Sequence, residues 1–161
     1  FELPVVTARP FNTYGPRQTA RAVIPTIASQ LLSGCSELKL GALTPTRDFN
    51  FATDTAAGMI ALALCKQAEG EVVNIGSGRE WSIEETAKIL MEVTGCEVPI
   101  LCDEDRIRPE KSEVNRLLAD NTKIQKLTDW KSQVSFQAGL GATADWIGRN
   151  LQYFNVERYT I

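Results

Sequence analysis

Short apolar runs of strand type alternate with segments of helical period along this chain, and that alternation restricts it to α/β architecture. LPVVTAR (3–9) predicts a strand apolar on both faces through Val5, Val6 and Ala8, as in a central parallel strand covered on both sides. AVIPTIASQLLSG (22–34) predicts a helix. Ile24, Ile27, Ala28, Leu31 and Leu32 recur at helical spacing, Pro25 suits the first turn, and Gly34 closes it. ELKLG (37–41) predicts a short strand and ALTPTRDFNFATD (42–54) a polar loop. A second helix is expected from Thr53 or Asp54, either able to cap it, through TAAGMIALALCKQ.

GEVVNIGSG (70–78) reads as a strand followed by a glycine turn. SIEETAKILMEVTG (82–95) carries a capping box, Ser82 with Glu85, and ends on Gly95. VPILCDE (98–104) is a candidate edge strand with its proline at the start, and RIRPEKSEVNRLLAD (106–120) is loop-like. DNTKIQKLTDW (120–130) predicts a short helix capped by Asp120, SFQAGLGATADWIGRNL (135–151) a final amphipathic helix, and the last ten residues are expected to fray. Two or three apolar strands make a poor sheet, because their edges stay unpaired. Other strands from another chain, or self-association, would complete it.

The 161 residues are expected to form a single domain, and the start at Phe1, straight into a strand, reads as a fragment of something longer. No apolar run approaches the roughly 20 residues that span a bilayer, so a membrane partner is not expected. The net charge of −3 argues against general nucleic-acid binding. Residues 1–50 are nonetheless +2, with Arg9, Arg17, Arg21, Lys39 and Arg47 against Glu2, Glu37 and Asp48, which leaves −5 for the rest. A small anionic ligand and random scatter account for this equally well. Cys35, Cys65, Cys96 and Cys102 lack zinc spacing and the chain has no histidine, so no metal site is expected. Scattered thiols suit a reducing cytoplasm, with a Cys96–Cys102 bridge as the open alternative.

Histidine-based nucleophilic catalysis is impossible here, and no tyrosine has a lysine four residues on. GLGATA (139–144) matches a dinucleotide loop literally but sits within a helical pattern. NIGSGRE (74–80) has the better strand-then-helix context but places Trp81 where a small residue belongs. Its glycines are expected to make a tight turn that could offer N–H groups, with Asn74 pointing into a crevice. The donors are concentrated elsewhere. Arg9, Asn12, Tyr14 and Arg17 follow one strand, Arg47 lies in TPTRDF, and Arg108 in RIRPEKSE. Guanidinium forks suit phosphate oxygens, and three proline-stiffened segments could converge on a diphosphate. Each arginine could instead pair with an acid such as Asp48, Glu110 or Glu113.

RPFNTYGPRQ, AVIPTIASQLL, LGALTPTRDFNFATDTAAGM, EVVNIGSGREWSIEETAKIL, RPEKSEVNRLLADNTKIQKL and GLGATADWI occur in an order and spacing that resembles the C-terminal half of NAD-dependent nucleotide-sugar epimerase/dehydratases, the extended short-chain dehydrogenase/reductases. The wording is most similar to nucleotide-sugar 4,6-dehydratases, particularly those acting on N-acetylglucosamine nucleotides. The resemblance implies the C-terminal portion of a Rossmann-like fold, with few parallel strands and a helical substrate-binding subdomain. It implies that Pro10 and Phe11 lie near the nicotinamide and that Asn12 donates to the diphosphate. Val23 and Leu40 would pack beside the base, with Arg17, Arg47, Asn74 and Arg108 as further substrate contacts. It implies a nucleotide-diphosphate sugar as partner and NAD as the parent cofactor. The family's glycine-rich NAD loop and Tyr-x-x-x-Lys pair are missing from this sequence. The chain is therefore expected to bind NAD poorly and to be inactive alone, or to persist as a homo-oligomer or strand-exchanged dimer.

Overall fold

The computed structural model describes residues 3–106 and 114–154. Arg108, Glu110, Glu113 and most of the last ten residues lie outside that range.

The strand expected at 3–9 begins later. β1 is Thr7–Pro10 and pairs in parallel with β6, Val72–Ile75, while β2, Asn12–Tyr14, pairs in parallel with β5, Phe49–Phe51. Leu3 and Val5 are exposed, and β1 meets the smaller core only through Ala8, with Val6 just before it, so the strand is not covered on both faces as its composition predicts. The loop expected at 42–54 contains β5 and also β4, Thr46–Arg47. β4 lies between β7, Trp81–Ser82, antiparallel to it, and β9, Arg116–Leu117, parallel to it. β9 falls in the segment read as loop-like. β3, Leu38–Leu40, pairs with β8, Ile100–Cys102. The strands thus form four small sheets among the described residues rather than one sheet of two or three strands. Runs of two or three residues are too short to show a period of two.

Helices fare better because their period repeats. α1 spans Val23–Leu32, with Pro25 in its first turn. α3 spans Ile83–Thr94 with the reciprocal Ser82–Glu85 capping box and a left-handed Gly95. α5, Phe136–Arg149, is capped by Ser135 and contains GLGATA, so that stretch is helix and not a nucleotide loop. α2 spans Ala52–Leu64 and starts after Phe51, not after Thr53 or Asp54. The Asp54 carboxylate instead accepts bonds from the Gln133 and Val134 N–H groups and from Ser132 Oγ, tying α2 to the loop before α5. α4, Thr122–Leu127, has Asn121 and not the expected Asp120 at its cap position, while Asp120 Oδ1 accepts the Thr122 N–H from just outside the helix. All four cysteines are free thiols. No described helix is long and apolar enough to cross a membrane.

The larger core packs α1, α3 and α5 together over β3, through Ile24, Ile27, Leu31, Leu38, Leu90, Leu140 and Ile147. Gln30 joins α1 to β3 like an extra rung of sheet. Its Nε2 donates to the Lys39 carbonyl and its Oε1 accepts the Lys39 N–H. A smaller core of Leu62, Val73, Ile75, Ile124 and Trp130 lies between α2, β6 and α4.

Candidate binding cleft

A cleft of about 250 Å³ opens where β2, the start of α1, the end of β3 and β4 meet. Asn12, Val23, Leu40 and Arg47 all line it. Four residues separated widely in sequence are brought to one place because β2 pairs with β5, the neighbour of β4, while Gln30 fixes α1 against β3. Val23, Ile24, Leu40, Phe49 and Ile83 give the walls an apolar side.

The polar side contains residues that the sequence reading does not select. Gln18, Arg21 and Arg106 line the cleft with Arg47, and among the described residues no carboxylate does. Arg106 arrives through a close approach: a methyl group on Gly41 would overlap the Arg106 carbonyl oxygen, so only glycine lets the two backbones touch. Arg106 Nε donates to Asp103 Oδ2 at 3.0 Å, and Arg47 Nη1 to the carbonyls of Thr46 and Val114. Three guanidiniums facing one small cavity in a protein of net charge −3 make it locally cationic. The only sequence signal for Arg106 is its place in the segment that also holds Arg108.

The remaining sequence-selected residues divide. Pro10 and Phe11 line a separate shallow cavity that also touches Asn12, so Asn12 stands between the two. Arg17 is exposed on its turn and does not line the cleft. Asn74 is held away from it, its Oδ1 accepting from Arg9 Nε and its Nδ2 donating to the Asp120 carbonyl. Arg108 lies outside the described residues.

Two acids expected or available as partners have other work. Asp48, fully buried, accepts the Ser77 and Gly78 N–H groups and Ser77 Oγ with its two oxygens, and the Ala119 N–H as well. The glycine turn after β6 therefore spends those two N–H groups on Asp48 and does not offer them to a ligand, a correction to the sequence expectation. Glu80, just before β7, ties that strand to β4 and β9. It accepts a bidentate pair from Arg116 and a bond from Thr46 Oγ1, and these hold its carboxyl down to about 2. Burial, aided by the charge of Asp54, raises the Tyr14 phenol far above its ordinary value, so it remains a donor, to the Phe136 carbonyl. It is not a proton acceptor for chemistry.

Comparison with known proteins places these features. The sequence profile of the family described as GDP-mannose 4,6 dehydratase matches residues 1–143. A UDP-N-acetyl-alpha-D-glucosaminuronate decarboxylase from Bacillus cytotoxicus is 32% identical over 149 residues, covering 89% of this chain and 46% of that protein. An epimerase structure from Methanothermobacter thermautotrophicus superposes with a TM-score of 0.84 at 33% identity, covering 94% of this chain and 45% of the other. The UDP-glucuronic acid 4-epimerase of Bacillus cereus, solved with UDP-glucuronic acid and NAD, gives 0.83 at 30% identity, covering 93% and 47%. The chain thus spans about half the length of the relatives it matches. The fold is the corresponding part of a Rossmann-like extended short-chain dehydrogenase/reductase.

Proposed function

We propose, from the premise that this chain belongs to the GDP-mannose 4,6 dehydratase family of nucleotide-sugar dehydratases and epimerases, that it is the substrate-holding half of such a protein and is not catalytic alone. The observation that carries this reading is the convergence of Asn12, Val23, Leu40 and Arg47 on one cationic cleft with an apolar wall. An apolar wall suits a base, and guanidiniums suit a diphosphate. A half that only positions its substrate contributes orientation, while the hydride chemistry belongs to the cofactor. NAD binding by this chain is expected to be weak, because Pro10 and Phe11 line only a shallow cavity with Asn12 and Leu117 and the family's glycine-rich NAD loop is missing from the sequence.

Calorimetry with UDP and GDP tests the reading. One of the two should bind, and Arg47→Ala should weaken it about tenfold or more, the value of a lost charge-assisted hydrogen bond. Absence of heat with both nucleotides at millimolar concentration overturns the binding role. Incubation with NAD and UDP- or GDP-N-acetylglucosamine should yield no 4-keto sugar. Turnover would overturn the claim that the chain is inactive alone.

A second reading, a self-associating module, rests on a different surface. Ala56, Ala57, Met59, Ile60, Ala63 and Leu64 all stand exposed on α2, with Leu64 at 81% and Ile60 at 61%. Their spacing is that of a helix face meant for burial, and the missing half of the family's proteins, or a second copy, would cover it. Light scattering should show association that Ile60→Lys with Leu64→Lys abolishes. A monomer at high concentration in the unmodified chain removes the second reading.

A further inference from the structure

Two main-chain carbonyls hold one side of the Arg47 guanidinium in the cleft wall. Its Nη1 donates to the carbonyl of Thr46 and to that of Val114, two residues before Arg116 of β9. The Val114 carbonyl can serve only while β9 lies against β4. Both strands are two residues long, and among the described residues β9 pairs only with β4. Beyond that pairing, the Thr46 N–H donates to the Asn115 carbonyl and the Asp48 N–H to the Leu117 carbonyl. A side-chain clamp completes the join. Glu80 stands just before β7 and reaches across β4 to β9. Its carboxylate accepts from Arg116 Nη2 at 2.8 Å, from Arg116 Nε at 2.9 Å, and from Thr46 Oγ1 at 2.7 Å.

A loose arginine side chain samples many rotamers, and ordering it on binding costs affinity. A guanidinium set in place beforehand avoids that cost. The planar fork of Arg116 on a carboxylate supplies the rigidity that two-residue strands lack. We infer that Glu80 is a positioning residue of the cleft: by tying Arg116 and Thr46 together it keeps the Val114 carbonyl beside Arg47 Nη1, and so keeps the guanidinium in the cleft wall. Glu80 does not itself line the cleft, so its effect on a ligand runs through Arg47. The Arg116 side chain is 65% exposed and that of Glu80 30%, and ion pairs so exposed add little to stability. The inference rests on the nucleotide-binding reading above and adds to it a residue outside the cleft on which affinity depends.

The test is calorimetry with UDP and GDP on the full chain, on Glu80→Gln, on Arg47→Ala and on the double variant. Glu80→Gln removes the charge with little change of shape. It should weaken the nucleotide that binds by about fivefold and leave the melting temperature within about 3 °C of the original. In the Arg47→Ala background the same change should weaken binding by less than about twofold, because no guanidinium is left to place. Arg116→Gln should repeat both results. Equal losses in the two backgrounds would show general damage to the cleft and overturn the inference, as would undiminished affinity in Glu80→Gln or a larger fall in its melting temperature. A second readout needs no ligand. The Nε–H NMR signal of Arg47, assigned by its absence from Arg47→Lys, should shift or broaden in Glu80→Gln and Arg116→Gln. That of Arg106, held by Asp103, should stay in place. An Arg47 signal that does not change overturns the inference. Failure of the unmodified chain to bind UDP and GDP is a different result: it removes the nucleotide-binding reading, and the NMR comparison still decides what Glu80 does to Arg47.

Discussion

Asp48→Ala should lower the stability of the chain by about 3–5 kcal/mol, a fall of about 10 °C in melting temperature. The carboxylate is fully buried and holds three backbone N–H groups and one hydroxyl. Alanine leaves those donors buried or half-buried with nothing to accept them, at about 1–3 kcal/mol for each one that water cannot reach. Against a total of about 5–15 kcal/mol for a domain, that is a large share. The loss should reach the cleft as well, because Asp48 follows Arg47 directly and fixes the turn after β6 and the segment after β9 around it. Asp48→Asn keeps one acceptor but turns an NH₂ group toward donors, so it should fall between the two. Melting curves for the three proteins, with UDP affinity alongside, check the order. A melting temperature for Asp48→Ala within 2–3 °C of the original, about 1 kcal/mol, would show that water satisfies the freed donors.

The same residue shows what was legible in the sequence. TRDF is recognisable, and its arginine reaches the cleft as the guanidinium chemistry suggests. The role of the aspartate is not legible, because its partners Ser77, Gly78 and Ala119 lie 29 or more positions away. Helices α1, α3 and α5 were readable from period and caps. The two- and three-residue strands were not, since pairing with distant partners, and not local pattern, makes them strands. Within the donor cluster RPFNTYGPRQ, Asn12 and Gln18 line the cleft and Arg17 does not, a division that the sequence does not mark. The left-handed backbone of Arg17, at φ 70°, has no sequence signature, because glycine or asparagine would be the expected occupant.

Gly139→Ala should destabilise the chain by about 2–3 kcal/mol, although alanine is the better helix former by about 1 kcal/mol. The sign follows from what a methyl group would meet inside α5. It would overlap the Tyr14 hydroxyl oxygen and stand 2.9 Å from Phe51 Cδ2. Tyr14 cannot step aside. It is 2% exposed, its ring meets Phe49, Phe51 and Phe136 edge-on, and its hydroxyl donates to the Phe136 carbonyl. Overlap with a ring locked on three sides outweighs the gain in propensity. A double-mutant cycle separates the two effects. Tyr14→Phe alone should cost about 1 kcal/mol, and Gly139→Ala should cost at least about 1 kcal/mol less in the Tyr14→Phe background, since the nearest obstructing atom is gone. Additive costs would place the strain elsewhere in α5.

The pairing of β1 with β6 has a consequence for solution behaviour. The N–H groups of Thr7 and Phe11 point at β6, and strand alternation turns Ala8 and Pro10 outward. Proline has no N–H to give, so a strand arriving at that edge finds one donor within β1, at Ala8, and then none. The outer margin of this sheet is a poor template for runaway fibre growth. On the self-association reading, lysine substitution on the exposed apolar face of α2 is expected to alter solution behaviour more than changes along the outer edge of β1.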